Sequence, residues 1–319
     1  MTLLSFGETP LRFEPADAGR LRAARETRLY ADGTESNVAA AAAATGGEGV
    51  WVSKLPDTPL GRRVVAELRE HGVDPAVAWA DSGRQGLRFQ ERGVPPREGR
   101  TVQDRVGTAM ASIEPDDLPM GEVRDAETVF TGASTFALSD RAAETGAALL
   151  SATQGTAITA ALDLDLQAGL CSAADARSVL DRTAGALDIL VASEEAAGAA
   201  FGTTGGAREL VTAIAAEHDL ELVVVTRSER GAVVLQDTPG TNVVHEREAV
   251  ETETVDPAGR HAAFVGTFLQ RLDDDADPAE ALSYGVAAGA LAGTVPGPFL
   301  TVEREELDRV VDEAVDDVR

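Results

Sequence analysis

Cysteine is nearly missing from this chain. Cys171 is the single one in 319 residues. That excludes an intrachain disulfide, a cysteine-based metal site and a thiol redox pair. Lysine is as scarce: Lys54 stands alone, and the other 27 of the 28 basic residues are arginine. Acidic residues number 54, for a net charge of −26. A chain of that sign repels nucleic acid and anionic membranes, so neither is expected as a partner. High acid content with almost no lysine resembles proteins of salt-accumulating halophiles, where molar salt screens the repulsion. The acids are spread along the chain, with Asp273, Asp274 and Asp275 the only tight run. No apolar run reaches membrane-spanning length, and no basic region followed by an apolar stretch opens the sequence. A soluble, cytoplasmic protein is expected.

What is present suffices for a core. The 44% hydrophobic content suits one large α/β domain or two smaller ones. No linker and no repeat divides the chain, so a single domain over residues 1–319 is expected. Leu11-Arg12-Phe13, Arg28-Leu29-Tyr30 and residues 86–92 and 101–106 alternate apolar and polar side chains, as strands with one wet face do. Pro95, Pro96 and Gly99 mark the turn between the last two. These segments, about 10–31 and 84–107, predict a small separate sheet. Residues 3–6, 50–52, 77–80, 128–131, 157–162, 189–191 and 222–226 read as the other strands, with 231–235 and 242–247 added later. The alanines at 39–44 form a helix stopped by Gly46 and Gly47. Further helices are predicted at 60–71, 142–151, 174–184, 208–217, 260–272, 278–292 and 302–318. Strands alternating with helices predict a doubly wound, mostly parallel α/β sheet covered on both faces.

The stretch 251–269 stands apart. A polar, strand-like run at 251–255 leads into a turn at Asp256, Pro257, Ala258 and Gly259. Ala263, Phe264, Thr267 and Phe268 then follow at helical spacing. A strand feeding a helix through such a turn presents free N–H groups and a positive dipole end to an anion. The plainer reading is a capped helix start, with Asp256 as N-cap and Pro257 at the first helical position.

That layout resembles the ribokinase-like (PfkB) family of sugar kinases over nearly the whole chain. Gly33-Thr34-Glu35-Ser36-Asn37 before the alanine helix resembles the family's first signature. Asp57 and Gly61 fit the next element loosely, and Gly72-Val73-Asp74 fits the one after. Asp256 to Phe268 falls where the second signature belongs. The lid segments and Asp163 are most similar to the branch acting on 2-keto-3-deoxygluconate and related sugars. The resemblance implies a β lid over the main sheet, with the sugar between them. It implies ATP and Mg²⁺ and a monovalent cation near Asp256, and since unprotected edge strands pair between subunits, a homodimer through the lid sheet is expected. Gly33, Asn37 and Asp163 match sugar-contacting positions, and Arg105 matches an arginine that reaches a sugar-acid carboxylate. Thr226, Ser228 and Gly231 match the nucleotide loop. Gly259 and Arg260 fall in the anion hole. The plainer readings are a helix N-cap for Asn37 and a solvated lid face for Arg105.

The departures from the family pattern concentrate on phosphoryl transfer. The family reads Asp-Thr-x-Gly-Ala-Gly-Asp where this chain reads Asp256-Pro257-Ala258-Gly259-Arg260-His261-Ala262. The position of the proton-accepting Asp is Ala262, and the second glycine is His261. The family's Asn-x-x-Glu, tied to Mg²⁺, aligns with Ser193-Glu194-Glu195-Ala196. The nucleotide loop, Thr226-Arg227-Ser228-Glu229-Arg230-Gly231, has lost one glycine, and Asp163-Leu164-Asp165-Leu166-Gln167 has lost an arginine. Arg88 and Gln103 stand where the branch prefers tyrosines. One reading is an ATP-dependent kinase with a rearranged site, in which His261, Asp256 or Asp163 accepts the proton. Another is a non-catalytic kinase fold that binds a sugar or nucleotide as sensor or silent partner, and the coordinated losses favour it. A third is a structural role without ligand.

Overall fold

The computed structural model describes residues 2–316 apart from 17, 18, 95 and 239. Pro95 of the expected lid turn and the last two residues of the predicted 302–318 helix therefore lie outside the described residues. In chain order the strands are β1 (Thr2–Phe6), β2 (Leu11–Pro15), β3 (Thr27–Ala31), β4 (Glu48–Pro56), β5 (Val73–Ala80), β6 (Leu87–Glu91), β7 (Arg100–Asp104), β8 (Thr128–Gly132), β9 (Thr159–Asp163), β10 (Ile189–Ser193), β11 (Leu222–Thr226), β12 (Ala232–Thr238) and β13 (Thr241–Arg247).

Nine of them form one sheet in the order β13-β12-β11-β10-β9-β8-β1-β4-β5. All neighbours run parallel except β11–β12 and β12–β13. Strand residues alternate between two apolar layers, as burial on both faces requires. Leu4, Phe6, Val223 and Val225 pack on one face with Leu149, Leu180 and Ile214. Leu3, Leu222 and Val224 pack on the other with Val38, Phe264 and Phe268. The order runs outward both ways from β1, so a crevice opens at the carboxyl ends of the central strands. Gly132, Asp163, Ser193 and Thr226 are the last residues of β8, β9, β10 and β11 and stand at that crevice.

The predicted lid is present as a four-stranded sheet, β3-β2-β6-β7. β2 and β6 pair in parallel, with Arg12 beside Arg88 and Phe13 beside Phe89. β6 and β7 form the expected antiparallel pair.

Residues 251–255 are not a strand: β13 ends at Arg247, and the Val255 N–H donates to the Gly293 carbonyl at 2.8 Å, beyond the helix Pro278–Ala292, and to no strand. The following helix is Arg260–Asp273. Gly259 is its N-cap, with a left-handed φ of 77°, and an added Cβ would lie 2.2 Å from the Pro298 carbonyl oxygen. Asp256 is thus not the N-cap, nor Pro257 the first helical residue. The helix Glu194–Phe201 was not predicted. Ser193 caps it by accepting from the Ala196 N–H at 3.0 Å, and at eight residues it is too short for clear periodicity.

Candidate active site

Two cavities meet at the start of helix Arg260–Asp273. The larger, about 880 Å³, lies over the ends of β9, β10 and β11. The smaller, about 320 Å³, lies between the main sheet and the lid. Asp165, Leu166, Pro257 and His261 line both.

His261 is the pivot. Its Nε2 lies 2.7 Å from Asp163 Oδ2, and its Nδ1 lies 3.4 Å from Thr226 Oγ1. Asp163 is 1% exposed, whereas the imidazole keeps 34% of its surface open. Burial opposes charge on the ring, but the Asp163 carboxylate and its hydrogen bond outweigh it, and the His261 pKa is raised. Burial also raises the Asp163 carboxyl, with Asp165 adding to the rise and His261 working against it. Both shifts hold one proton on the pair.

Arg260 lines the larger cavity. It donates to the Gly289 carbonyl and to Thr254 Oγ1, each at 3.3 Å. No carboxylate pairs with it among the described residues, so its charge is free for an anion. Thr226, Ser228 and Gly231 line the same cavity. Ser228 has a φ of 55°, the left-handed backbone that a glycine at that position would adopt freely, so the loop keeps its shape without the glycine. Glu194 and Glu195 line it too. Glu194 is engaged by Arg230 and by the Ala207 N–H, which leaves Glu195 open. No group of three metal-ligating side chains clusters among the described residues.

Asp256 reaches neither cavity. Its Oδ1 accepts from the Ala258 N–H at 3.0 Å. Its Oδ2 accepts from the Gly297 N–H at 3.1 Å and faces Arg92 Nη2 at 2.9 Å. At 2% exposure it is a brace for the loop before the helix, not a candidate proton acceptor.

The smaller cavity holds Asn37 but not as a cap: Asn37 sits inside the helix Thr34–Ala44, whose N-cap is Gly33. Asn37 donates to Asp32 at 2.8 Å, and its buried Oδ1 has no partner. Gly33 is set back from this cavity, and a Cβ there would lie 2.4 Å from the Glu8 carbonyl oxygen. Asp163 faces the larger cavity instead. Ala262 contributes only a methyl group to the smaller one.

Arg105 is neither a solvated lid residue nor at the smaller cavity. It is buried and paired with Glu8, its neighbour across the base of the lid. Two other arginines line the lid end instead, Arg12 and Arg88. Both address Asp32, Arg12 from 3.0 Å. Burial alone would raise the Asp32 carboxyl, but Arg88, Arg12 and the Asn37 amide outweigh it and hold it low. Arg12 is 1% exposed and also lies 3.7 Å from Glu14. Arg12 Nη2 and Arg88 Nε are buried without a hydrogen-bond partner. The sequence carried one hint of them: Arg12 and Arg88 each fall on the wet phase of an alternating strand.

A family model described as pfkB family carbohydrate kinase matches residues 2–304. A 2-dehydro-3-deoxygalactonokinase of Haloferax volcanii is 41% identical over 97% of this chain and 96% of its own. A 2-dehydro-3-deoxygluconokinase structure from Thermotoga maritima superposes with a TM-score of 0.86 at 24% identity, covering 98% of this chain and 99% of that one. A candidate ribokinase II of E. coli in complex with ATP and Mg²⁺ gives a TM-score of 0.83 at 17% identity, covering 98% and 99%.

Proposed function

The chain belongs to the pfkB family of carbohydrate kinases, and on that premise we propose that it phosphorylates a 2-keto-3-deoxy sugar acid with ATP. The observation that carries the reading is the meeting of the two cavities at His261, beneath the N-terminus of helix Arg260–Asp273. A nucleotide fits the larger and a hexose-sized acid the smaller, so phosphoryl transfer would run across their junction. The similarity to a kinase of such an acid supports the substrate class.

Each side has chemistry to match. Arg12 and Arg88 both address Asp32, with Glu14 also 3.7 Å from Arg12, and their unpartnered N–H groups suit a substrate carboxylate. Asn37 Oδ1 is free to accept from a sugar hydroxyl. Arg260, the helix amides and a protonated His261 offer positive charge where the phosphoryl group would pass. A loose transition state needs that placement more than it needs a strong base. Mg²⁺ favours one or two carboxylates together with substrate phosphates and waters. Glu195 fits that habit, and the ion would neutralise phosphate charge. The monovalent cation implied near Asp256 would have to displace Arg92, whose guanidinium already sits there.

A coupled ADP-release assay in molar potassium chloride, with keto-deoxy sugar acids and neutral sugars, tests the reading. Turnover of the acids alone is expected. Ala262 favours a second reading, a non-catalytic binder. Calorimetric binding of both ligands with no ADP release would establish that one.

We also assign a second copy of this chain to the outer face of the lid. Leu29, Phe13, Phe89 and Val102 are register partners across all four strands, on the face opposite Arg12 and Arg88. Val102 is 44% exposed, whereas Phe13 and Leu29 lie half-buried against the core and the helix Pro59–Glu70 touches β3, so the open part of the row is its Val102 end. Light scattering is expected to report a dimer for the wild type and a monomer for Phe89→Asp. A wild-type monomer would sink the assignment.

A further inference from the structure

Ala262 leaves the position of the proton acceptor empty, and the pair His261–Asp163 holds its proton between the His261 Nε2 and the Asp163 Oδ2. Another carboxylate lies at the junction. Asp165 follows β9 by two residues and lines both cavities. Its Oδ2 is fixed by three donors: Thr34 Oγ1 at 2.9 Å, Ser134 Oγ at 2.9 Å and Gln167 Nε2 at 2.7 Å. Its Oδ1 accepts no hydrogen bond among the described residues. One oxygen is thereby anchored and the other left open, as positioning a base requires. The three donors come from separate elements, the helix Thr34–Ala44, the short helix Ala133–Phe136 that directly follows β8, and the segment after β9, so the carboxylate is held from three sides.

We infer that Asp165 is the catalytic base of this enzyme, taking over the role of the aspartate that Ala262 has displaced. The inference rests on the kinase reading above. In the step, the acceptor hydroxyl O–H breaks and its proton passes to Asp165 Oδ1. The hydroxyl oxygen forms the bond to the γ-phosphorus of ATP. The bond from that phosphorus to the β,γ-bridging oxygen breaks, and its electron pair leaves with ADP. The proton on Asp165 is then lost to water after product release. Arg260, on the larger cavity, and His261, at the junction beside Asp165, take up phosphoryl charge.

The test compares wild type, Asp165→Asn and the double variant Asp165→Asn/Ala262→Asp. Each is assayed for ADP release and, by calorimetry, for binding of a 2-keto-3-deoxy sugar acid and of ATP. Asp165→Asn is expected to lower kcat about 10²- to 10⁴-fold, with both dissociation constants within about threefold of wild type. Asn preserves the shape and part of the anchoring, and retained binding certifies the fold. Ala262→Asp in that background is expected to recover at least about tenfold, since it returns a carboxylate to the same space. The inference is overturned by a kcat within about threefold of wild type, by binding and kcat falling together, or by a double variant that binds both ligands without recovery. A wild-type protein that binds both ligands and turns over neither removes the kinase reading, and this inference with it. A wild-type kinase indifferent to Asp165→Asn removes the inference alone.

Discussion

The two cavities use arginine in opposite ways. Around the larger one, Arg227 is paired with Glu246 and Arg230 with Glu194, so most of the positive charge is cancelled within the protein. Arg260 is the exception, held only by a carbonyl and a hydroxyl. At the lid end of the smaller one, two arginines share Asp32 and keep buried donors unpartnered. Buried polar groups are normally satisfied, so orphaned donors mark where a ligand completes the site. A polyphosphate carries its own metal and needs few protein cations. A lone carboxylate has no such companion and must be read by the protein itself. Under the proposed function, the contrast matches nucleotide to the first cavity and acid to the second.

The largest effect should come where the cavities meet. His261→Ala is expected to lower kcat about 10²- to 10³-fold with little change in either KM, as loss of a preorganised charge does. The raised His261 pKa sets the sign of the pH response. Activity that needs the protonated ring persists at low and neutral pH and falls as pH climbs through a value above the ordinary 6.5. The stability contributed by the raised His261 follows the same course, present below 6.5 and lost as pH rises through the folded value. A kcat profile rising across that window would show that neutral His261 is the working form.

Next, Arg88→Gln should raise KM for the sugar acid about 10- to 100-fold and leave KM for ATP unchanged, the worth of one charge-assisted hydrogen bond. Arg260→Ala should do the reverse, raising KM for ATP about tenfold. Steady-state kinetics on both variants would break the comparison if each substitution moved both constants equally.

The smallest effect on turnover concerns Glu35, buried behind Asp165. Burial pushes its carboxyl up to about 8 from an ordinary 4.5, with Asp165 adding to the rise and the Thr135 hydroxyl and Gly132 N–H opposing it. A raised carboxyl is protonated in the folded state while the unfolded chain ionises. Stability therefore falls as pH rises between 4.5 and about 8, by up to about 1.4 kcal/mol per pH unit. Glu35→Gln should remove that slope. Denaturant melts at pH 5, 6 and 7 that remain parallel for the two proteins would refute it.

Much of the fold was legible because its signals are local. The alanine run at 39–44, the alternation in the lid strands and the apolar runs of β10 and β11 each announce an element without reference to distant residues. Boundaries slipped where a side chain has a tertiary partner. The strand read as 157–162 extends to Asp163, whose carboxylate is held by His261, 98 residues away. Asp256 looked like a cap because Pro257 followed it. It instead binds the Gly297 N–H and Arg92, which no local pattern encodes. Arg105 looked available, since its partner Glu8 is 97 residues away.

By itself, then, the sequence determined the layers, the lid, the alanine helix and the helix beginning at Arg260. It also determined what is missing at that helix, a carboxylate at Ala262. Composition and periodicity suffice for these because backbone propensity and one-sided burial act within a few residues. Only the tertiary structure decided which charged groups face which cavity. It paired Arg105 with Glu8, turned Arg12 and Arg88 toward the smaller cavity, and set His261 and Asp165 at the junction. Charge pairing depends on distance in space, and nothing in the local spacing of Asp163, Asp165 and His261 records that they meet.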